Sequence, residues 1–191
     1  EGPLPTVISF SAAISACEKA GQWQQAQSLF QKMRREGLLP DSISFSAAIL
    51  ACEKGGQWQQ IQSLLKEMRM EGLLPNVINF NTAISACKEF GQWQQAQSLL
   101  DEMRMDGLSP NVISFSAAIS ACEKSGQWQH AQSLFNVMRG EGLALDVVSF
   151  CTAISVCEKG GRWQQARSLL DEMRREGLSP NVISLNAAIS A

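Results

Sequence analysis

Apolar residues recur along the chain at helical spacing. Phe10, Ala13, Ile14 and Cys17 stand at i, i+3, i+4 and i+7, a set that lies on one stripe of an α-helix. Ser9 reads as the N-cap of that helix and Gly21 as its stop. Beyond Gly21 a second stripe runs through Trp23, Ala26, Leu29, Phe30 and Met33 and ends toward Gly37 and Pro40. Two short amphipathic helices joined at a glycine make a helical hairpin, and after Pro40 the pattern starts again.

The period is 35 residues and no insertion breaks it. Trp23, Trp58, Trp93, Trp128 and Trp163 share one register, as do Phe10, Phe45, Phe80, Phe115 and Phe150, and Met33, Met68, Met103, Met138 and Met173. Counted from Val7, the units are 7–41, 42–76, 77–111, 112–146 and 147–181. Residues 1–6 (EGPLPT) match 36–41 (EGLLPD), and 182–191 (VISLNAAISA) match 112–121 (VISFSAAISA). The whole of 1–191 is therefore expected to be one repeat array whose ends fall inside units. One hairpin cannot bury its own apolar faces, so neighbours must stack, and stability becomes a sum of unit and interface terms. The expected fold class is an all-α solenoid of helix-turn-helix hairpins.

Two repeat families come close to this length. A 34-residue unit with Trp early in its first helix would suggest tetratricopeptide repeats. Here the period is 35, Trp opens the second helix, Tyr is absent, and four of the five units close on Gly-Leu-x-Pro-Asn/Asp, the fourth ending Gly-Leu-Ala-Leu-Asp. Through segments such as VISFSAAISACEKSGQWQHAQSLF (112–135) and MRREGLSPN (173–181), the chain resembles the pentatricopeptide repeat family, in its pure class of uniform 35-residue units. The resemblance covers 7–181 fully and both stubs partly. It implies a right-handed α-solenoid that binds single-stranded RNA, one base per repeat. It also implies work in organellar RNA processing, stability or translation, in mitochondrion or plastid.

Ser11, Ser15 and Glu18 lie off the apolar stripe and would align along one face of a stacked array. The fifth residues of the units are Ser11, Ser46, Asn81, Ser116 and Cys151, with Asn186 in the C-terminal stub. The closing residues are Asp41, Asn76, Asn111, Asp146 and Asn181, with Thr6 before them. These two columns vary polar-for-polar while the core positions stay nearly fixed. In the resembled family, the fifth and last residues together select the base. An ionised Asp offers only acceptors and suits the ring N–H of guanine or uracil, whereas Asn carries a donor and an acceptor and suits adenine or cytosine. A small fifth Ser leaves room for a purine, and a longer Asn fits a pyrimidine. Ser11 with Asp41 then reads G, Ser46 with Asn76 A, Asn81 with Asn111 C, Ser116 with Asp146 G, and Cys151 with Asn181 A or C. The expected target is 5'-GACG(A/C)-3', its polarity carried over from the family.

The resemblance gives two further columns. Ile8, Ile43, Ile78, Ile113, Val148 and Ile183, at the second position just before the first helix, would clamp each base between consecutive units; their other reading is packing between repeats. Lys19, Lys54, Lys124 and Lys159, at the thirteenth position, would approach phosphates, or else be solvated helix ends. The third unit inverts the pair to Lys88-Glu89.

Composition limits the affinity of such a surface. The formal net charge is −2, and unit by unit it runs +1, 0, −2, −1 and +1, at a pI of about 5.5. Phosphate neutralisation supplies much of RNA affinity, so five units alone should bind weakly, with a mismatch costing ~1–3 kcal/mol by analogy with groove readout. No apolar run approaches the ~20 residues of a membrane span, and Glu-Gly-Pro-Leu-Pro does not read as a signal or transit peptide.

The remaining chemical-looking residues have structural readings. The tryptophans, in phase with Ala, Leu and Met, are expected in the core rather than as base-stacking platforms. Cys17, Cys52, Cys87, Cys122 and Cys157 form a column on the first-helix stripe. Packed helices lie ~8–10 Å apart, beyond the ~7 Å reach of a disulfide, so these are expected to be buried free thiols of a reducing compartment. Cys151 falls on the groove face instead. His130, the only histidine, is expected to be exposed, and no metal, cofactor or catalytic constellation is found. Asp101-Glu102 and Asp171-Glu172 read as a solvated outer face. The alternative function is a protein- or peptide-binding scaffold using the same groove, favoured by the acidic pI and opposed by the two polar columns. An enzyme whose catalytic domain lies outside this stretch draws nothing from these residues. Leu185, Ala188 and Ile189 in the last helix are expected to lack cover and to promote self-association.

Overall fold

The computed structural model describes residues 6–190, apart from the side chain of Ile183; residues 1–5 of the N-terminal stub and Ala191 lie outside it. Among the described residues the secondary structure is entirely helical, as the periodicity requires. The helices are α1 (Val7–Lys19), α2 (Trp23–Arg35), α3 (Ser42–Lys54), α4 (Trp58–Met70), α5 (Val77–Glu89), α6 (Trp93–Met105), α7 (Val112–Lys124), α8 (Trp128–Gly140), α9 (Val147–Lys159), α10 (Trp163–Arg175) and α11 (Val182–Ser190). None is long and apolar enough to cross a membrane.

Glycine ends the helices in a specific way. After α1, Gly21 has φ +68°; its N–H donates to Glu18 O at 3.0 Å, and Gln22 N–H donates to Cys17 O at 2.9 Å. This left-handed cap satisfies the last carbonyls of the helix and delivers the chain into Trp23, the first residue of α2, within three residues. The same closure recurs after α2, where Gly37 has φ +75° and Leu38 N–H donates to Met33 O at 3.1 Å. Only glycine takes this conformation at no steric cost.

At the N-termini the structure corrects the sequence reading. The first helix of each hairpin begins at Val7 and its equivalents, two residues before Ser9, and its cap is Thr6 in α1 and the closing residue of the preceding unit thereafter. Ser9 is the third helical residue; its hydroxyl accepts from Thr6 N–H at 2.8 Å, and its own N–H donates to the Thr6 hydroxyl at 3.3 Å. The second-position aliphatics therefore sit inside the first helical turn, not before it.

The chain forms two compact bodies, residues 1–86 and 87–191, with α5 passing from one to the other. In the first, α1 packs on α2 within its hairpin and on α3 of the next, and α3 packs on α2 and α4. Ile14, Ala26, Phe30, Phe45, Ala48 and Met68 form its core, with the Phe30 and Phe45 rings edge-on at 5.0 Å. In the second body α7, α8, α9, α10 and α11 repeat the scheme, with Phe135 and Phe150 edge-on at 5.7 Å. Aromatic pairs of this kind favour edge-to-face geometry, and here each pair joins the second helix of one unit to the first helix of the next.

The tryptophans are less buried than their phase suggested. Trp23, Trp58, Trp93 and Trp128 are half-buried and Trp163 is exposed. As first residues of second helices they lie at the hairpin end. Trp93 lies against the exposed His130 with ring centroids 4.1 Å apart and the planes tilted by 40°, and the Arg162 guanidinium lies 4.0 Å from the Trp128 ring centroid. A side chain at Gly55 would fall within 2.5 Å of the Trp23 ring.

Candidate nucleic-acid interface

The closing residue of each unit is tied down by the helix it starts. Asp41 Oδ1 accepts from Ser44 N–H at 2.8 Å and from the Ser44 hydroxyl at 2.7 Å. Asp146 repeats this with Ser149 at 2.8 and 2.7 Å. Asn76 Oδ1 accepts from Asn79 N–H at 3.0 Å, Asn111 Oδ1 from Ser114 N–H at 3.1 Å, and Asn181 Oδ1 from Ser184 N–H at 2.9 Å. A helix N-terminus presents unpaired N–H donors, and Asp and Asn are among the best side chains to satisfy them. Because a donor must meet oxygen, the cap also fixes which end of each amide points away from it. Asp41 and Asp146 thus keep Oδ2, an acceptor, for a ligand; Asn76 and Asn181 keep Nδ2, a donor.

The electrostatics agree with that division. Burial by itself would raise the Asp41 carboxyl, but the bonds from the Ser44 hydroxyl and the backbone N–H groups outweigh it and hold the group below its ordinary value of 3.8. At neutral pH Asp41 is a carboxylate that only accepts.

The fifth residues approach the closing residues through the next unit. Ser11 Oγ and Ser44 Oγ are 2.7 Å apart, Asn79 Nδ2 donates to Ser46 Oγ at 2.9 Å, and Ser116 Oγ lies 3.5 Å from Ser149 Oγ. In the fifth unit the contact is direct, with the Cys151 thiol donating to Asn181 Oδ1 at 3.3 Å. Asn81 belongs to the first body and Asn111 to the second. Ser46, Asn81, Ser116 and Cys151 are half-buried. Ser11 is only 6% exposed, and its single hydroxyl proton has two acceptors in reach, Ser44 Oγ at 2.7 Å and Val7 O at 2.8 Å. It offers a ligand space rather than a hydrogen bond.

Beside these columns stands an apolar one. Ile8, Ile43, Ile78, Ile113 and Val148 are 61–79% exposed, so packing between repeats, their alternative reading, does not occupy them. Ile183 falls on a side chain outside the described set. Each is a branched aliphatic with unused apolar area, Ile8, Ile43 and Ile78 on the first body and Ile113 and Val148 on the second.

The thirteenth-position lysines are engaged. Lys54 Nζ meets Glu18 Oε1 at 2.7 Å and Glu18 O at 2.9 Å, Lys124 meets Glu89 Oε2 at 3.3 Å and Glu89 O at 3.1 Å, and Lys159 meets Glu123 Oε1 at 3.1 Å. The inverted pair of the third unit therefore still supplies Lys124 with a partner, through Glu89. Lys19 is exposed at the end of α1. All six cysteines are free; Cys17 and Cys151 are half-buried and the other four buried. Burial pushes Cys52, Cys87 and Cys122 up to about 11 and raises Cys157, so none is a thiolate at neutral pH.

The third-position side chains Ser44, Asn79, Ser114, Ser149 and Ser184 are buried and were missed as site residues. The pattern Asp-x-x-Ser, an N-cap followed three residues later by a polar side chain, could have found them.

Comparison with known families places these features in context. The chain matches the PPR repeat family over residues 5–54 and 145–191, the pentatricopeptide repeat domain over 63–125 and the PPR repeat over 43–73 and 113–143. No curated protein sequence matches it. Among solved structures it is similar to the pentatricopeptide repeat protein PPR10 from maize, with a TM-score of 0.76 and 25% identity over 100% of this chain and 27% of that one. It is also similar to PPR10 in complex with an 18-nt psaJ RNA element, with a TM-score of 0.80 and 23% identity over 97% and 27%. A third likeness is the PPR domain of Arabidopsis thaliana protein-only RNase P 1 in complex with tRNA, with a TM-score of 0.80 and 15% identity over 92% of both chains. The chain spans about a quarter of the length of PPR10, 27%.

Proposed function

We propose that this chain, which belongs to the pentatricopeptide repeat family, binds single-stranded RNA and reads one base with each unit. The observation that carries the reading is the column of closing residues, each fastened by Oδ1 to a helix N-terminus. Four of them lie within hydrogen-bonding reach of the fifth residue, directly or through one intervening side chain. The RNA seen on PPR10 and the tRNA seen on the RNase P domain belong to those proteins; they support the same use of this surface.

In this account the base slides over an exposed aliphatic and presents its Watson–Crick edge to the two polar columns. Oδ2 of Asp41 or Asp146 accepts the ring N–H of guanine, while the small Ser11 or Ser116 leaves room for its two rings. Nδ2 of Asn76 donates to the ring nitrogen of adenine. Cys151 with Asn181 selects adenine or cytosine; the sequence pattern alone gives the third unit cytosine, so the proposed target is 5'-GACG(A/C)-3'. Lys19, Lys54, Lys124 and Lys159 approach the phosphates. The action is occupancy: no bond is made or broken, and bound RNA is shielded, remodelled or presented to a partner. Organellar RNA processing or stability is the setting the family suggests.

Selection from a randomised RNA pool at stated salt tests the proposal. Enrichment of GACG, with Asp41→Asn and Asp146→Asn each moving its own position from G toward A, is the expected result. Both substitutions keep an N-capping oxygen, so stability should change by only a few tenths of a kcal/mol. No enrichment at low ionic strength would instead favour a peptide-binding scaffold.

A further inference from the structure

The third residue of a unit has no part in the base reading as described, yet it is the most constrained polar position on this face. Ser44, Asn79 and Ser149 are at most 1% exposed. A polar group that deeply buried is unfavourable unless hydrogen-bonded, and an alanine would sit in the first helical turn with better intrinsic propensity. What distinguishes these side chains is where their bonds go. Ser44 Oγ donates to Asp41 Oδ1 at 2.7 Å and lies 2.7 Å from Ser11 Oγ. Ser149 Oγ donates to Asp146 Oδ1 at 2.7 Å and lies 3.5 Å from Ser116 Oγ. Asn79 reaches the same two residues differently: Nδ2 donates to Ser46 Oγ at 2.9 Å, while Oδ1 accepts from the Asn76 backbone N–H at 3.0 Å and leaves the Asn76 side chain to the Asn79 N–H. In both bodies, one buried side chain at the start of a unit touches both selecting residues of the unit before it.

We infer that the third-position serines Ser44 and Ser149 are positioning residues that set the base preference of the preceding unit, by locking its closing side chain and its fifth side chain into one bonded arrangement. The inference rests on the base-reading proposal. The physical reason is rotational freedom. The terminal torsion of Asp is broad and roughly two-fold, and a single backbone N–H is a weak hold on it. The hydroxyl from Ser44 or Ser149 supplies a second donor to the same oxygen. That oxygen is then fully occupied, and Oδ2 is the sole acceptor turned to the ligand. Without the hydroxyl, Oδ1 has spare capacity for water or for an exocyclic amine, so an adenine is rejected less well. The fifth serine simultaneously loses its link to the closing residue, and Ser11 keeps only its bond to Val7 O.

The test uses the whole chain and synthetic single-stranded RNAs carrying GACGA, AACGA or GACAA between short uridine flanks. Ser44→Ala should lower the ratio of GACGA to AACGA affinity by about three- to tenfold, the worth of one hydrogen bond, and leave the ratio of GACGA to GACAA unchanged. Ser149→Ala should do the reverse. Ser44→Thr, which keeps the hydroxyl, should restore the ratio. A merely structural role would weaken all three RNAs alike and leave both ratios where they were, and that result overturns the inference. Melting curves report whether each variant folds, and because the two serines lie in different bodies, either decides if the other unfolds. Asp41→Asn is measured beside them. If it shifts G toward A while both alanine variants keep wild-type ratios, positioning by the third residue is wrong and base reading stands. If it shifts nothing, base reading fails and the inference falls with it.

Discussion

Ile113 and Ile43 offer the most direct probe of the proposed interface, because the structure separates their two possible roles. A side chain that packs between repeats loses stability when truncated; one that meets a nucleobase loses only affinity. Ile113 is 63% and Ile43 65% exposed. Burying a whole isoleucine side chain is worth about 1.5–3 kcal/mol. A base covering the exposed two-thirds would therefore gain ~1–2 kcal/mol, and alanine, which keeps one carbon of the side chain, should forfeit about 1–1.5 kcal/mol of it. At 1.4 kcal/mol per decade this is about a five- to twelvefold rise in Kd for each substitution. The free protein should barely notice, since exposed helix substitutions stay within ±0.5 kcal/mol and alanine is the better helix former. Fluorescence anisotropy with a labelled GACGA RNA, beside thermal melting of Ile113→Ala, Ile43→Ala and the double variant, makes the measurement. The two sites are far apart in sequence and belong to different bodies, so their effects on binding should add. The contact is apolar, so the losses should be the same at low and high salt. Unchanged melting with unchanged affinity would refute the clamp, and a melting point lowered by many degrees would return these residues to packing.

Two further outcomes follow from the charges and the thiols. If the thirteenth-position lysines reach phosphates, Lys124→Ala should reduce the slope of log affinity against log salt by about 0.7; an unchanged slope would leave Lys124 with the single task of pairing Glu89. A thiol-reactive dye at neutral pH should modify the half-buried Cys17 and Cys151 in the folded chain and reach Cys52, Cys87, Cys122 and Cys157 only on unfolding. Burial lifts the folded values of Cys52, Cys87 and Cys122 to about 11 from an ordinary 9.0. The buried thiols therefore favour folding fully below the ordinary value, and this contribution is lost as pH rises toward the folded one; a melting point flat from neutral to strongly alkaline pH would contradict it.

Periodicity carried the fold a long way. A helix in a stacked array has one neighbour relation repeated many times, so Phe45, Phe115 and Phe150 could be assigned to the core from spacing alone, and all are fully buried. The N-termini were harder. Ser9 and Asp41 are both good capping types, and the pattern alone does not say whether a polar residue starts the helix or sits one turn inside it. The answer depends on Thr6 and Asp41 having extended backbones. The burial of Ser11 was not legible either. It lies on the polar face of its own helix, and what covers it is Ser44, 33 residues away. Trp23 failed in the opposite sense: its phase is apolar, but it stands at the first turn of α2 and is only half-buried. For Ser9 the local pattern placed the cap three residues too late; for Ser11 contact with the next unit decided the exposure.

Under the proposed RNA binding, the same contacts account for selectivity in a nearly neutral array. Six of its cations bridge units. Second-helix arginines reach forward, Arg34 to Glu67 at 2.6 Å and to Glu71, Arg104 to Glu141 at 2.7 Å and Arg139 to Glu172 at 2.9 Å. First-helix lysines reach back, Lys54 to Glu18, Lys124 to Glu89 and Lys159 to Glu123. All six keep about a third to a half of the side chain exposed, where such pairs are worth little, about 0–1 kcal/mol each. They nevertheless occupy the charge that would otherwise attract any polyanion. A phosphate must then share each lysine with a glutamate, which weakens binding to every sequence equally. The hydrogen bonds at Asp41, Asn76, Asp146 and Asn181 are untouched by that competition, because they lie on capping residues held by neutral N–H and O–H groups. Lowering the sequence-independent term while keeping the sequence-dependent one raises the ratio between them, so the near-zero charge that argues against tight binding argues for discriminating binding.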